Sequence, residues 1–256
     1  MRGILKAVAV AAVGLTLSGA ASAQSALNDI LNSGVLKVGT TGDWNPMSVR
    51  DPATNSYKGF DIDIMNELAA DLGVEVEFVP TDWKTLVNGV VAGQYHITGS
   101  ASISPPRMKA AGFSESYIAV EILPFTMPEK AGGFSGYDSI NQSGVKVATT
   151  LGTTFEGLAR EWFPNAEIVV VEAPARGYQE VLAGRADVFI TSNIEGSTLT
   201  EKFGVARVPD TGPRAPSPIA MLLPQDDQVW INYVNNWVKL KKAKGFFEGN
   251  KEKWGL

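Results

Sequence analysis

The segment Gly99-Ser-Ala-Ser-Ile-Ser-Pro-Pro-Arg-Met-Lys-Ala-Ala-Gly-Phe-Ser114 gathers the residue types that could do chemistry. Ser100 and Ser102 close an apolar run, a turn follows, Pro105 and Pro106 can open a short helix, and Arg107 falls in its first turn. Free N–H groups at a helix start and serine hydroxyls favour an anion, and a guanidinium fork holds a carboxylate at two points. The spacing therefore reads as a carboxylate clamp, although Arg107 taken alone would read as a solvated surface arginine. Other chemistries are poorly supplied. The single histidine, His96, precedes an apolar strand and cannot by itself build a His-rich zinc site or a Ser-His-Asp triad, so it reads as structural. With no Cys there is neither thiolate chemistry nor a disulfide. No G-x-x-x-x-G-K-[ST] occurs, and no G-x-G-x-x-G follows a strand. Neither a metal site nor a cofactor is expected.

These residues must be held by a sizeable fold. The 256 residues are 45% hydrophobic and 19% charged, an ordinary globular composition, and the length suits two lobes of roughly 100 residues. A net charge of −5 lacks the broad basic field of a nucleic-acid binder. Residues 1–23 open with Arg2 and Lys6, continue through the apolar run Ala7 to Leu17 and close with Ala21-Ser22-Ala23. That is the three-part order of a secretory signal peptide cleaved after Ala23, and its apolar run is too short to span a bilayer. No Cys follows to accept a lipid, so a freely soluble, periplasmic protein is expected.

Beyond the leader, strand-length apolar runs alternate with segments of helical period, the pattern of an α/β protein with mostly parallel sheets. Strands are expected at Val35 to Val38, Val74 to Val79 and from Ile97, with helices at Asp61 to Leu72, where Asp61 can cap, and Leu86 to Val91. A break is expected near Pro124 to Gly133. A second series then places strands at Val145 to Ala148, Ile168 to Val171 and Val188 to Thr191, and helices at Phe155 to Trp162 and Tyr178 to Leu182. Leu86 to Ser100 echoes Val181 to Ser192: each is a helix ending at Ala-Gly, then a strand finishing in hydroxylic residues, with His96 where the second copy has Asp187. Two such halves make a cleft, and sheets of this kind bind ligands at strand carboxyl ends. The stretch from Ile219 through the long helix Gln228 to Lys242 should return to the first lobe, leaving two connections as a hinge.

The runs Gly39-Thr-Thr-Gly-Asp-Trp-Asn-Pro-Met47, Tyr57-Lys-Gly-Phe-Asp-Ile-Asp63, Thr81-Asp-Trp83, the clamp ending at Arg107, Phe113-Ser-Glu-Ser-Tyr117, Leu151-Gly-Thr-Thr154 and Gly184-Arg-Ala-Asp187 keep a shared order and spacing. In this they resemble the periplasmic solute-binding proteins of family 3, the polar amino-acid-binding proteins of ABC importers, over nearly the whole chain after the leader. The resemblance implies a two-lobed type II periplasmic-binding-protein fold, with lobe 1 from residues 24–123 and 219–256 and lobe 2 from residues 124–218. It implies that Arg107 holds a ligand carboxylate with help from Ser100 and Ser102, that Trp44 and Trp83 cover the ligand, and that Thr153 and Thr154 reach it from the second lobe. Core packing is the other reading of the two Trp residues. The implied partners are a small organic carboxylate and an ABC permease in the inner membrane, the protein itself being a monomer that binds no nucleic acid.

One departure bears on the ligand. Where amino-acid binders of the family usually carry an Asp for the ligand's ammonium, this chain has Ser192. A desolvated ammonium without a counter-charge is costly. Glu195 could substitute, the ligand could be a carboxylate without a primary amine, or a quaternary ammonium could sit between Trp44 and Trp83. Arg176, at a helix start, reads as a solvated arginine, with a second ligand carboxylate as the alternative. The chain also resembles the cyclohexadienyl dehydratases in Thr40-Thr-Gly-Asp43, Gly59-Phe-Asp61 and Thr191-x-x-x-Glu195. In those enzymes the glutamate matching Glu195 is the general acid that expels the ring hydroxyl of prephenate or arogenate. Against an enzyme, Thr154 and Ser192 replace an Asn and an Asp of that pattern, and an exposed helix-start acid is the other reading of Glu195. Binding without turnover is the expected function.

Overall fold

The computed structural model describes residues 25–214 and 216–256, so the expected leader lies outside the described residues. Eight strands carry the architecture: β1 (Val35–Thr40), β2 (Glu75–Pro80), β3 (Ile97–Ser102), β4 (Ile118–Thr126), β5 (Lys146–Thr150), β6 (Glu167–Val171), β7 (Val188–Ser192) and β8 (Pro216–Leu223). They lie in the order β6-β5-β7-β4-β8-β3-β1-β2. Within each half the sheet is parallel, β1 lying between β2 and β3 and β5 between β6 and β7. The strands that join the halves are antiparallel to their neighbours. β4 pairs with β8 over residues 118–121 and with β7 over 122–126, while β8 pairs with β4 over 216–219 and with β3 from 219. The chain thus crosses between lobes twice, as a type II periplasmic-binding-protein fold requires.

The expected break near Pro124 to Gly133 is there, but it opens only after β4 has ended at Thr126. Pro124 lies inside β4 opposite Ile190 and serves the sheet through its carbonyl, which accepts from the Val208 N–H at 3.0 Å. The break follows β4, at the short helix Pro128–Ala131. The first long helix starts earlier than expected, at Phe60–Leu72, and Asp61 does not cap it. Its cap is Gly59 at φ 143, where a Cβ would stand 2.3 Å from the Met47 carbonyl oxygen, so only glycine fits. Phe60, Ile64, Met65 and Leu68 turn into the first lobe's core, each worth roughly 1.5–3 kcal/mol of burial.

The echo between halves extends to individual bonds. The Lys37 N–H donates to His96 Nδ1 at 3.1 Å, and the Lys146 N–H donates to Asp187 Oδ2 at 2.9 Å. In both, the backbone N–H of the echo residue returns a bond to the carbonyl of that lysine, at 3.0 and 2.9 Å. His96 and Asp187 thus do the same structural job, fastening a helix–strand unit to the lobe's first strand. The helix Gln228–Ala243 brings the C-terminal segment back onto the first lobe, where the buried Trp230 donates through Nε1 to the His96 carbonyl at 3.1 Å. Leu123, Phe125, Val181, Phe189 and Leu199 form a cluster separate from the main core. No helix among the described residues is long and apolar enough to cross a membrane.

Candidate functional site

The end of β3 and the turn after it build one wall. Ser100 adopts a left-handed φ of 58°, and its N–H donates to the Tyr117 hydroxyl at 2.8 Å. Pro105 and Pro106 open the one-turn helix Pro105–Met108, which presents Arg107 inward. The guanidinium is buried; it donates through Nη1 to the Ser102 carbonyl at 3.3 Å and through Nη2 to the Gly152 carbonyl of the other lobe at 3.1 Å. Among the described residues no carboxylate pairs with it, and burial pushes its pKa down to about 10. A cation taken from water and given only carbonyls is a strong attractor for an anion.

Trp44 and Trp83 stand edge to face with ring centroids 5.9 Å apart. Trp83 Nε1 donates to Asp43 at 2.9 and 3.2 Å, while Trp44 Nε1 is buried without a hydrogen-bond partner. The second lobe supplies the facing wall. Thr153 is the N-cap residue of the helix Thr154–Trp162, and its hydroxyl is spent on the Thr150 carbonyl at 2.6 Å. Gly152, at φ 79, touches the first lobe so closely that a Cβ would meet Lys84 Cα at 2.5 Å. Trp44, Trp83, Ser100, Ser102, Arg107, Thr153 and Thr154 all line one narrow cavity, together with Phe155 and Arg176. Its free volume is about 10 Å³, room for about one water, so a ligand enters only as the two walls part.

Arg176 corrects the solvated reading: it is buried, because acids from both lobes reach it. Its Nη2 donates to both Glu195 oxygens at 2.9 and 3.0 Å. Its Nη1 lies 2.9 Å from Asp43 Oδ2, near enough for an ion pair though not aligned as a hydrogen bond. The guanidinium also lies 5.9 Å from the Trp83 ring centroid, within cation–π range. Burial opposes the Arg176 charge, but Glu195 and Asp43 outweigh it and hold its pKa above the usual value.

Glu195 is buried too, which overturns the exposed helix-start reading. Burial raises its pKa, while Arg176 and a very short hydrogen bond from the Thr191 hydroxyl pull it down. Glu195 lines a second, smaller cavity beside the first, with Arg176 and Phe155 shared between them. Ser192 lines neither cavity. Its fully buried hydroxyl caps the helix Asn193–Phe203 by accepting from the Glu195 N–H at 3.1 Å.

Sequence reasoning missed Asp43 as a site residue and placed Arg176 outside the site. Asp43 lay inside a quoted motif, and the pairing of two acids with one arginine across the cleft was the available signal.

A family model described as bacterial extracellular solute-binding proteins, family 3, matches residues 36–256. A cyclohexadienyl dehydratase of Pseudomonas aeruginosa is 32% identical over 249 residues, 96% of this chain and 92% of that enzyme. The L-cystine-binding protein TcyJ of Escherichia coli is 24% identical over 89% of this chain and 85% of its own. Among solved structures, an ancestral amino acid-binding protein, a precursor of cyclohexadienyl dehydratase, superposes with a TM-score of 0.83 at 35% identity, covering 90% of this chain and 99% of that one.

Proposed function

The chain belongs to the bacterial extracellular solute-binding proteins, family 3, and on that footing we propose that it is a monomeric periplasmic receptor of an ABC importer. It captures a small carboxylate-bearing solute between lobe 1 (residues 24–123 and 219–256) and lobe 2 (residues 124–218) and presents it to the permease. The observation that carries this reading is Arg107, a buried guanidinium without a carboxylate partner, on the wall of an interlobe cavity. Its Nη2 bond to the Gly152 carbonyl joins the clamp to the opposite lobe, so carboxylate capture and lobe closure share one side chain. Trp44 and Trp83 supply rigid apolar faces, and Ser100 and Ser102 flank the clamp. Only the closed, loaded form docks productively.

The test is a thermal-shift screen of the purified mature protein, repeated with Arg107→Ala. Ligands that raise the wild-type melting temperature should leave the variant unmoved, since losing a charged hydrogen-bond partner costs about 1.5–3 kcal/mol or more. Equal protection of both proteins would remove the clamp.

A second reading has its own support: the dehydratase relative at 32% identity, and a buried glutamate, Glu195, on the wall of a small cavity. Burial raising its pKa suits a general acid. The ion pair weighs the other way, because protonating Glu195 would load an oxygen already accepting from Arg176 or Thr191. Incubation with prephenate and arogenate decides: we expect no phenylpyruvate or phenylalanine, and turnover abolished by Glu195→Gln would establish the enzyme.

A further inference from the structure

Donors and acceptors are unequally spent around the interlobe cavity. None of the nine residues lining it is acidic, and two of them are arginines. The carboxylates nearest to it are already engaged. Glu195 receives Arg176 on both oxygens and Thr191 on one of them. Asp43 receives Trp83 Nε1 on both oxygens and stands in ion-pair contact with Arg176. Ser192, at the end of β7, brings no charge and is consumed as a helix cap.

The groups left over on the cavity's own lining are N–H and O–H groups. Trp44 Nε1, Ser100 Oγ and Arg176 Nε are each buried without a hydrogen-bond partner, on residues that line the cavity. Arg107 adds a guanidinium that meets only carbonyls. A ligand ammonium there would face two guanidinium groups and no acid on the lining, the unpartnered Asp61 Oδ2 belonging to a neighbouring cavity, whereas a ligand rich in oxygen acceptors would satisfy every donor left over on the lining.

Resting on the solute-capture reading, we propose that the ligand is an amine-free carboxylate with a second oxygen acceptor, a carboxylate or a keto group, directed at Arg176. Arg107 takes the first carboxylate and Trp44 and Ser100 complete its hydrogen bonds. Arg176 keeps Glu195 and Asp43 and offers its remaining N–H groups to the second acceptor. Primary amines are rejected because Arg176 holds Glu195 and Asp43, and burial favours the neutral form of Asp61, the third acid nearby.

Matched pairs test this on the mature protein by isothermal titration calorimetry: glutarate and 2-oxoglutarate against glutamate, succinate against aspartate, phenylpyruvate against phenylalanine. The expected result is that whichever pair fits is bound through its amine-free member, with the amino acid at least about 100-fold weaker, as for a buried charge left unpaired. Arg176→Met should narrow or reverse that preference by releasing both acids. Should this variant fail to fold, the wild-type comparison alone decides. Amino acids binding as tightly as their amine-free partners would overturn the amine exclusion and leave solute capture standing. Binding by neither member of any pair would overturn the capture reading and this one together.

Discussion

Asp61 sits one layer behind the clamp. The Tyr117 hydroxyl donates to its Oδ1 at 2.6 Å and accepts from the Ser100 N–H, tying a buried carboxyl to the strand end that carries the site. Burial pushes the Asp61 pKa up to about 7 despite the pull of the Tyr117 bond. An unfolded aspartate ionises near pH 4, so between about pH 4 and pH 7 the folded chain keeps a proton that the unfolded chain has released. Stability then falls as pH rises through that window, by up to about 1.4 kcal/mol per unit, and the slope ends near pH 7. In melts from about pH 4.5 to pH 8, the wild-type protein should lose ground to Asp61→Asn as pH rises; parallel curves would refute the buried proton. Residues of this kind show how far sequence carries. Arg107 is legible because its serines and prolines are its neighbours in the chain. Arg176 is not, because its burial depends on Asp43 and Glu195, which reach it from opposite lobes.

At the scale of elements, the helix–strand units were readable because apolar spacing and glycine stops are local. The misreadings fall where tertiary contacts override local rules. Pro124 stays within β4 because its carbonyl still finds Val208. Gly59 displaces Asp61 as the helix cap because the Met47 carbonyl presses against it. Ser192 is a case with a measurable outcome. As the cap of the helix Asn193–Phe203, it should cost about 1 kcal/mol when changed to Ala, lowering the melting temperature by about 2–4 °C. Ligand affinity should stay within twofold, since Ser192 lines neither cavity. A large affinity loss with an unchanged melting temperature would make it a ligand residue instead.

Across the whole molecule, Gly152 is a point where the backbone of one lobe touches that of the other. Gly152→Val would strain a φ of 79° and drive a side chain into Lys84, so the lobes could not shut fully. Small-angle X-ray scattering should then show no ligand-dependent contraction, and affinity should drop at least about tenfold; wild-type contraction would show that closure does not pass through this contact. The Lys84–Glu172 pair beside it is exposed and adds little. The matched fastenings at His96 and Asp187 carry a consequence of their own. Burial lowers the pKa of His96, so the imidazole remains an acceptor somewhat below its usual range, but further acid protonates Nδ1 and breaks its bond from Lys37. Burial pushes Asp187 upward, yet Lys130 and the Lys146 N–H outweigh it and leave its pKa below that of a free aspartate. Souring the medium therefore undoes one of the two bonds between Lys37 and His96 before it touches the matching bond at Asp187, so that two units built to one plan answer acid differently.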